Sequence, residues 1–354
     1  MYVVIMAGGG GTRLWPMSTP ERPKPFLPLF PDGTLFQKTI ARIVGPDLGI
    51  ALSDVTVVAA ERYAELARAQ VPGIGLLEEP EGRNTAAAVA LATLAIDRPA
   101  DEVMVVLPAD HVIGDEATFR AVLKAAEAGI ARGAFGIDAP LVTLGIQTDR
   151  PATEYGYLIP RLDMGDDIKG LRAYPLERFK EKPDPVEAER LWRQAGVAWN
   201  AGMFLWRRRA IRTALETSAP DVLETVHGGL AEGDLARAYG RVRSISIDYA
   251  VMEPAAAAGR VVMGAMNVGW SDLGSWTVLL ETLGGVGVGR VVQPGETAEA
   301  GPDDLVVERV DGRLVLRDGP RSILAEAPVA LLAGARPARD IVEALLKRVA
   351  RQEA

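Results

Sequence analysis

Cysteine is missing from this 354-residue chain, and histidine occurs only twice. Disulfides, thiolate nucleophiles and cysteine zinc sites are thereby excluded together, and a histidine-rich metal centre has too few ligands. A hard cation on carboxylate oxygens is the metal chemistry left open. There are only three asparagines, six glutamines and seven lysines, against 32 arginines. Scarce heat-labile residues suggest a thermophile, although a GC-rich genome also favours arginine and alanine. No apolar run approaches the roughly 18 residues of a membrane span, and the chain opens on a strand without a basic leader or cleavage pattern. A soluble, cytoplasmic protein is expected. Positive charge is in deficit too: a net charge of −8 argues against nonspecific nucleic-acid binding.

What is present concentrates near the N-terminus. Residues 8–27 read GGGGTRLWPMSTPERPKPFL, directly after the apolar run Tyr2 to Met6. A buried parallel strand ending in glycines leaves backbone N–H groups free to close around phosphate oxygens. Ala7, Gly8, Gly9, Gly10, Gly11 and Thr12 form this loop, and Arg13 and Lys24 add fixed positive charge suited to a triphosphate. Pro23 and Pro25 restrict the backbone around the lysine. Two familiar glycine motifs do not fit. A P-loop needs Lys-Ser or Lys-Thr after its last glycine, where Thr12 and Arg13 stand, and a dinucleotide fingerprint needs a glycine where Arg13 or Leu14 stands. The competing interpretation is a tight strand-to-helix turn that binds nothing, but such a turn needs one or two glycines, not four with two cations.

Apolar, β-branched runs at Tyr2 to Met6, Val55 to Ala59, Val103 to Leu107 and Leu141 to Gly145 alternate with helical stretches near 34–44, 84–97 and 116–132. That alternation predicts a parallel sheet with helices on both faces, binding ligands at the carboxyl ends of its strands. Residues 146–183 read as a hairpin-like excursion, followed by a strand over Asn200 to Trp206 and helices near 207–217 and 248–258. An α/β domain is expected over 1–283. From Gly284 the texture changes to short strand-like pieces, predicting a small β module over 284–354 with a terminal helix within Pro337 to Gln352.

Several further residues are suited to chemistry. Asp110 follows a predicted strand, and Asp272 lies in a turn between tryptophans; two such carboxylates beside a triphosphate suit Mg²⁺, although each alone also suits a cap or turn. In Glu181-Lys182-Pro183, the lysine is a candidate phosphate ligand and the glutamate a hydroxyl acceptor, or the two form a solvated pair. Asn200 either faces the same cleft or begins a strand. Arg83, Asn84 and Thr85 precede an alanine-rich helix, where Asn84 or Thr85 caps it and the same groups can read a base edge. His111 reads as structural or as a sheet-edge hydrogen-bonder.

In order, AGGGGTRLWPMS with PKPF, EGRNTA, PADH, LGIQTDRP, YGYL, FKEKP, WNAGMF, SIDYAVME and WSDLGSW resemble the sugar nucleotidyltransferases, most closely their mannose-1-phosphate guanylyltransferase branch. The resemblance implies a Rossmann-like, GT-A-like α/β fold with a mostly parallel mixed sheet and a left-handed β-helix-like C-terminal module. It implies Mg²⁺-dependent guanylyl transfer from GTP to mannose 1-phosphate, giving GDP-mannose, by a homodimer. On this likeness Gly8 to Gly11, Arg13 and Lys24 hold the GTP phosphates, with Arg13, Lys24, Asp110 and Asp272 as the catalytic set. Asn84 and Thr85 contribute to the guanine pocket, and Asp110 with Asp272 binds Mg²⁺. Gly145, Gly156, Tyr157, Glu181 and Asn200 line the mannose site, and Lys182 takes the sugar phosphate. Pro25, Ala87 and Glu154 depart from the family's usual glutamine, proline and glycine, leaving the reaction class intact and the exact sugar less constrained. An appended phosphomannose isomerase domain is not expected. The rivals are a relative using another nucleotide and hexose phosphate, and a catalytically silent nucleotide-sugar sensor.

Overall fold

The computed structural model describes residues 1–9, 14, 18–30, 33–131, 133–274, 278–279, 291–292, 305–310, 313–318 and 322–323. Its strands are β1 (Tyr2–Met6), β2 (Val55–Ala60), β3 (Gly75–Glu79), β4 (Val103–Pro108), β5 (Leu141–Gln147), β6 (Tyr157–Pro160), β7 (Asp166–Ile168), β8 (Leu171–Lys180), β9 (Ala198–Arg207), β10 (Val261–Met266), β11 (Val291–Val292), β12 (Leu305–Val310), β13 (Arg313–Asp318) and β14 (Ser322–Ile323). The helices are α1 (Leu35–Ala41), α2 (Ala64–Gln70), α3 (Asn84–Ala95), α4 (Glu116–Ala131), α5 (Pro185–Trp192), α6 (Arg208–Ser218), α7 (Pro220–Glu232), α8 (Leu235–Tyr239) and α9 (Glu253–Ala257), the last preceded by a π-helical turn, Asp248–Met252.

Two compact units divide the chain: Met1–Gly9 with Ile40–Ala109 and Ile113–Trp270, and Gly10–Thr39 with Asp110–Val112 and Ser271–Ala354. The first carries a ten-stranded sheet ordered β3-β2-β1-β4-β9-β5-β10-β8-β6, with β7 paired to β8. Strands β3, β2, β1 and β4 are mutually parallel, as are β5 and β10. The long strand β9 lies antiparallel between β4 and β5. The expected excursion over 146–183 is the antiparallel set β6, β7 and β8.

Alternation explains how both sheet faces become buried. Tyr2 and Val4 on β1, and Met104 and Val106 on β4, join one core cluster with α3, α6 and α7. Val3, Ile5, Val105 and Leu107, one residue out of phase, are equally buried, and α4 packs on β5, β9 and β10. Strands covered on both sides read as continuous apolar runs, which is why the parallel part was legible in the sequence. Helix α3 is buried from Ala86 to Thr93, so its small residues let it lie inside the core. The expected single helix near 248–258 is instead the π-helical turn followed by α9.

Within the second unit, β11, β12, β13 and β14 form a four-stranded sheet, parallel between β11 and β12 and antiparallel elsewhere. The expected terminal helix within 337–352 lies outside the described residues. Among the described residues no helix is long and apolar enough to cross a membrane.

Candidate active site

In the second unit Lys24 occupies a short 3-10 turn, Lys24–Phe26, and its side chain is 7% exposed. Packing of Phe26 against Phe36, with ring centroids 5.1 Å apart, anchors the turn. Buried ammonium groups demand partners. Lys24 Nζ finds the Asp110 carboxylate at 2.6 Å and donates to the Asp272 carbonyl at 2.5 Å. The Asp110 carboxylate and the main chain of Asp272, 162 positions apart in sequence, are thus drawn to one lysine. Antiparallel pairing of Val112 with Ser271 aligns the two segments, through N–H···O bonds of 2.8 and 3.1 Å. The Asp272 carboxylate accepts the Gly274 N–H at 3.1 Å. Burial pushes the Asp110 carboxyl up, but Lys24, His111 and hydrogen bonding together hold it below the usual carboxylate range, so Asp110 is ionised at neutral pH. His111 Nε2 lies 3.8 Å from Asp110 Oδ1 and adds to the electrostatic hold on that carboxylate when the imidazole is protonated.

In the first unit Ala7 is buried and donates its N–H to Val58. A Cβ on Gly8 would come within 2.9 Å of Glu79 Oε2, so a larger residue here would have to displace that buried carboxylate. Among the described residues nothing comes within 4 Å of a Cβ placed on Gly9. Gly10, Gly11, Thr12 and Arg13 lie outside the described residues. A cavity of about 570 Å³ opens among Ala60, Glu61, Arg62, Pro80, Glu81 and Gly82. Arg83 is paired with Glu81, Nη2 to Oε1 at 2.5 Å. Asn84 has φ +64 and accepts the Thr85 N–H, while the Thr85 hydroxyl accepts the Ile247 N–H at 2.8 Å. Arg83, which makes no side-chain cap bond, holds the N-cap position of α3 in place of the expected Asn84 or Thr85.

A second cluster of polar groups in this unit gathers Glu181, Lys182, Asn200 and Gly156. Any side chain on Gly156 would collide with Glu181 Oε2. Lys182 Nζ is 3.4 Å from Glu181 Oε1, and Lys182 sits at φ +41, a left-handed conformation costly for a non-glycine residue. Asn200 lies inside β9, where the register with β5 shifts between Thr143 and Gly145; it is not the start of the strand. Its Nδ2 donates to Asp248 at 2.8 Å and its Oδ1 accepts from Thr143 Oγ1 at 2.7 Å. Burial, then the neighbouring Asp248 charge, pushes the Glu181 carboxyl up to about 7.

Two expected members are occupied with packing. A Cβ on Gly145 would lie 2.7 Å from Met263 Sδ and 3.0 Å from Ala198 Cβ, so glycine here permits strand packing. Gly145 also lines a cavity of about 500 Å³ with Gln147, Thr148, Trp192 and Asn267. Tyr157 is fully buried, accepts the Ala152 N–H on its hydroxyl at 2.8 Å, and packs with Ala188, Leu191, Val197 and Trp199.

The nucleotidyl transferase family model matches residues 2–285. The chain belongs to that family. Among nucleotidyl transferase relatives, a Sinorhizobium fredii mannose-1-phosphate guanylyltransferase is 35% identical, covering 99% of this chain and 68% of its own length. The Xanthan biosynthesis protein XanB of Xanthomonas campestris pv. campestris is 38% identical over 78% of this chain, and the match spans 58% of XanB. A crystal structure described as a mannose-1-phosphate geranyltransferase from Thermus thermophilus superposes with a TM-score of 0.69 at 30% identity, covering 100% of this chain and 99% of that one.

Sequence reasoning quoted SIDYAVME among its motifs but gave Asp248, Tyr249 and Glu253, at positions 248–253, no role of their own. Tyr249 donates its hydroxyl to the Glu181 carbonyl at 3.3 Å, and Glu253 accepts the Glu181 N–H at 2.7 Å. A carboxylate at each end of an otherwise apolar helical stretch was the available signal.

Proposed function

We propose that this nucleotidyl transferase is a mannose-1-phosphate guanylyltransferase. A phosphate oxygen of mannose 1-phosphate attacks the α-phosphorus of GTP in line. The new bond joins that oxygen to phosphorus, the α–β bridging bond breaks, and pyrophosphate leaves with its electron pair. No protein base is needed, because the attacking phosphate is already an anion.

The observation that supports this most is the group Lys24, Asp110 and Asp272, held by bonds of 2.5 and 2.6 Å. A triphosphate needs its charge neutralised in a fixed geometry, and transfer to a ready nucleophile then depends on alignment and electrostatics. Asp110, held in its charged form, and the carboxylate of Asp272, whose main chain meets the same lysine, are hard oxygen donors of the kind that suits Mg²⁺, which keeps water and takes phosphate oxygens to complete its shell. Asp110 and Asp272 would hold the ion, which supplies Lewis-acid neutralisation of the polyphosphate. Lys24, released from its carboxylate by the competing charges, and Arg13 would hold phosphate oxygens. Gly8 to Gly11 would give backbone N–H groups to the same phosphates, and Arg83, Asn84 and Thr85 would border the guanine. Glu181 and Asn200 would bond the mannose hydroxyls beside Gly145 and Gly156, and Lys182 would meet the sugar phosphate. The names of the relatives support the choice of GTP and mannose 1-phosphate. We expect a cytoplasmic homodimer.

Pyrophosphate release measured with four nucleoside triphosphates against several hexose 1-phosphates tests this reading. GTP with mannose 1-phosphate is expected to be fastest. Preference for ATP or UTP with glucose 1-phosphate would overturn the substrate assignment, and no release with any pair would mark a sensor.

A further inference from the structure

The segment from Ile245 to Glu253 bonds to three separate parts of the first unit. Ile245 accepts the Ala86 N–H at 3.1 Å, and Ile247 donates to Thr85 at 2.8 Å, tying the segment to the start of α3. Asp248 then meets Asn200, and Tyr249 and Glu253 meet the backbone of Glu181. Between these contacts the chain runs as a π-helical turn, Asp248–Met252, instead of a regular α-helix. Such turns are rare and recur at functional sites, because the extra residue re-aims side chains that α geometry would send elsewhere.

Each contact fixes one degree of freedom. The Asn200 amide has two orientations that pack equally well. Gly202 N–H can only donate, and it points at Oδ1 from 3.2 Å; Thr143 Oγ1 occupies the same oxygen. Asp248 completes the selection by accepting from Nδ2 at 2.8 Å, which leaves one Nδ2 hydrogen for a ligand hydroxyl. Around Glu181 the restraint is on the main chain: Glu253 accepts its N–H, and the Tyr249 hydroxyl donates to its C=O. With both backbone polar groups of Glu181 held, the peptide plane that leads into Lys182, which sits at φ +41, is fixed from one side.

We propose that the π-helical turn and Glu253 form the positioning element of the hexose-phosphate subsite, with Asp248 orienting the Asn200 amide and Glu253 and Tyr249 locking the backbone that aims Glu181 and Lys182. The proposal rests on the reading of Glu181, Lys182 and Asn200 as the sugar-phosphate contacts. Asp248, Tyr249 and Glu253 act through those residues and are positioning residues.

The test is a split between the two Michaelis constants, measured on the full chain. Glu253→Ala removes the acceptor for the Glu181 N–H and is expected to raise KM for the hexose 1-phosphate about tenfold or more, leaving KM for the nucleotide within about twofold. Glu253→Gln keeps an acceptor oxygen and is expected to restore most of the affinity. In ¹⁵N–¹H spectra the Glu181 amide should shift upfield in Glu253→Ala and stay near its native position in Glu253→Gln. Tyr249→Phe, at an exposed side chain, carries the same expectation at about twofold to threefold and covers the case in which Glu253→Ala does not fold. Equal rises in both constants, an unchanged hexose-phosphate KM, or a Gln variant as impaired as the Ala variant would overturn the proposal. A wild type that turns over a different hexose phosphate would defeat the mannose assignment alone, and the split is then read with that sugar.

Discussion

Replacing Glu79 by glutamine should make the folded protein more stable at alkaline pH than the wild type, by an amount the structure sets. Glu79 ends β3 with 3% of its surface exposed, and among the described residues its Oε1 has no hydrogen-bond partner. Burial raises its carboxyl from 4.5 to about 7, and the nearby Tyr239 hydroxyl offsets only part of that. The folded state therefore holds this proton more tightly than the unfolded chain does. Stability from this source is fully present below pH 4.5 and is lost as pH rises to about 7. At about 1.4 kcal/mol per pH unit the loss is about 3 kcal/mol. Glutamine keeps the shape and has no proton to lose, so the variant's advantage should grow by about that amount between pH 4.5 and pH 8. Urea denaturation followed by circular dichroism at several pH values measures it. Comparing variant with wild type removes the parallel titration of Glu181, which is a separate site. Parallel stability curves for the two proteins would refute the argument that the burial of Glu79 is only partly compensated.

Other expectations follow from the same geometry. Lys24→Ala and Asp272→Ala should each lower kcat about 10²-fold or more, read as pyrophosphate release; near-normal turnover would remove these residues from the reaction. Because burial and Asp248 leave Glu181 largely protonated below about 7, KM for mannose 1-phosphate should fall as pH rises from 6.5 to 8.5, and Glu181→Gln should flatten that profile. Gly8→Ala places a methyl group 2.9 Å from the confined Glu79 Oε2 and should cost about 1–3 kcal/mol, visible as a lower urea midpoint.

The sequence displayed its parallel strands because β1, β2, β4 and β5 are apolar on both faces. Strand β3 was hidden by Leu76-Leu77-Glu78-Glu79, where a buried carboxylate imitates a surface loop. Strand β10, Val261–Met266, is as apolar as β4 yet follows helix α9 after only a short turn, and the two run together in a periodicity reading. At the candidate site, Lys24, Asp110 and Asp272 were chosen from residue chemistry and motif order, but what joins them, the pairing of Val112 with Ser271, is a tertiary fact. Asn84 and Thr85 were legible as a helix start, while the partner that claims the Thr85 hydroxyl, Ile247, lies 162 residues away. The π-helical turn escaped for the same reason. Nothing in Asp248-Tyr249-Ala250-Val251-Met252 departs from ordinary helical spacing; its shape answers to Asn200, Glu181 and Thr85, which local pattern does not contain.

The central claim is that one phosphate oxygen of mannose 1-phosphate becomes bonded to the α-phosphorus of GTP. Incubating the protein with GTP, Mg²⁺ and mannose 1-phosphate carrying ¹⁸O in its phosphate, then weighing the products by mass spectrometry, tests it directly. All of the label should appear in GDP-mannose and none in pyrophosphate. Label in pyrophosphate, or pyrophosphate formed without labelled GDP-mannose, would contradict the account.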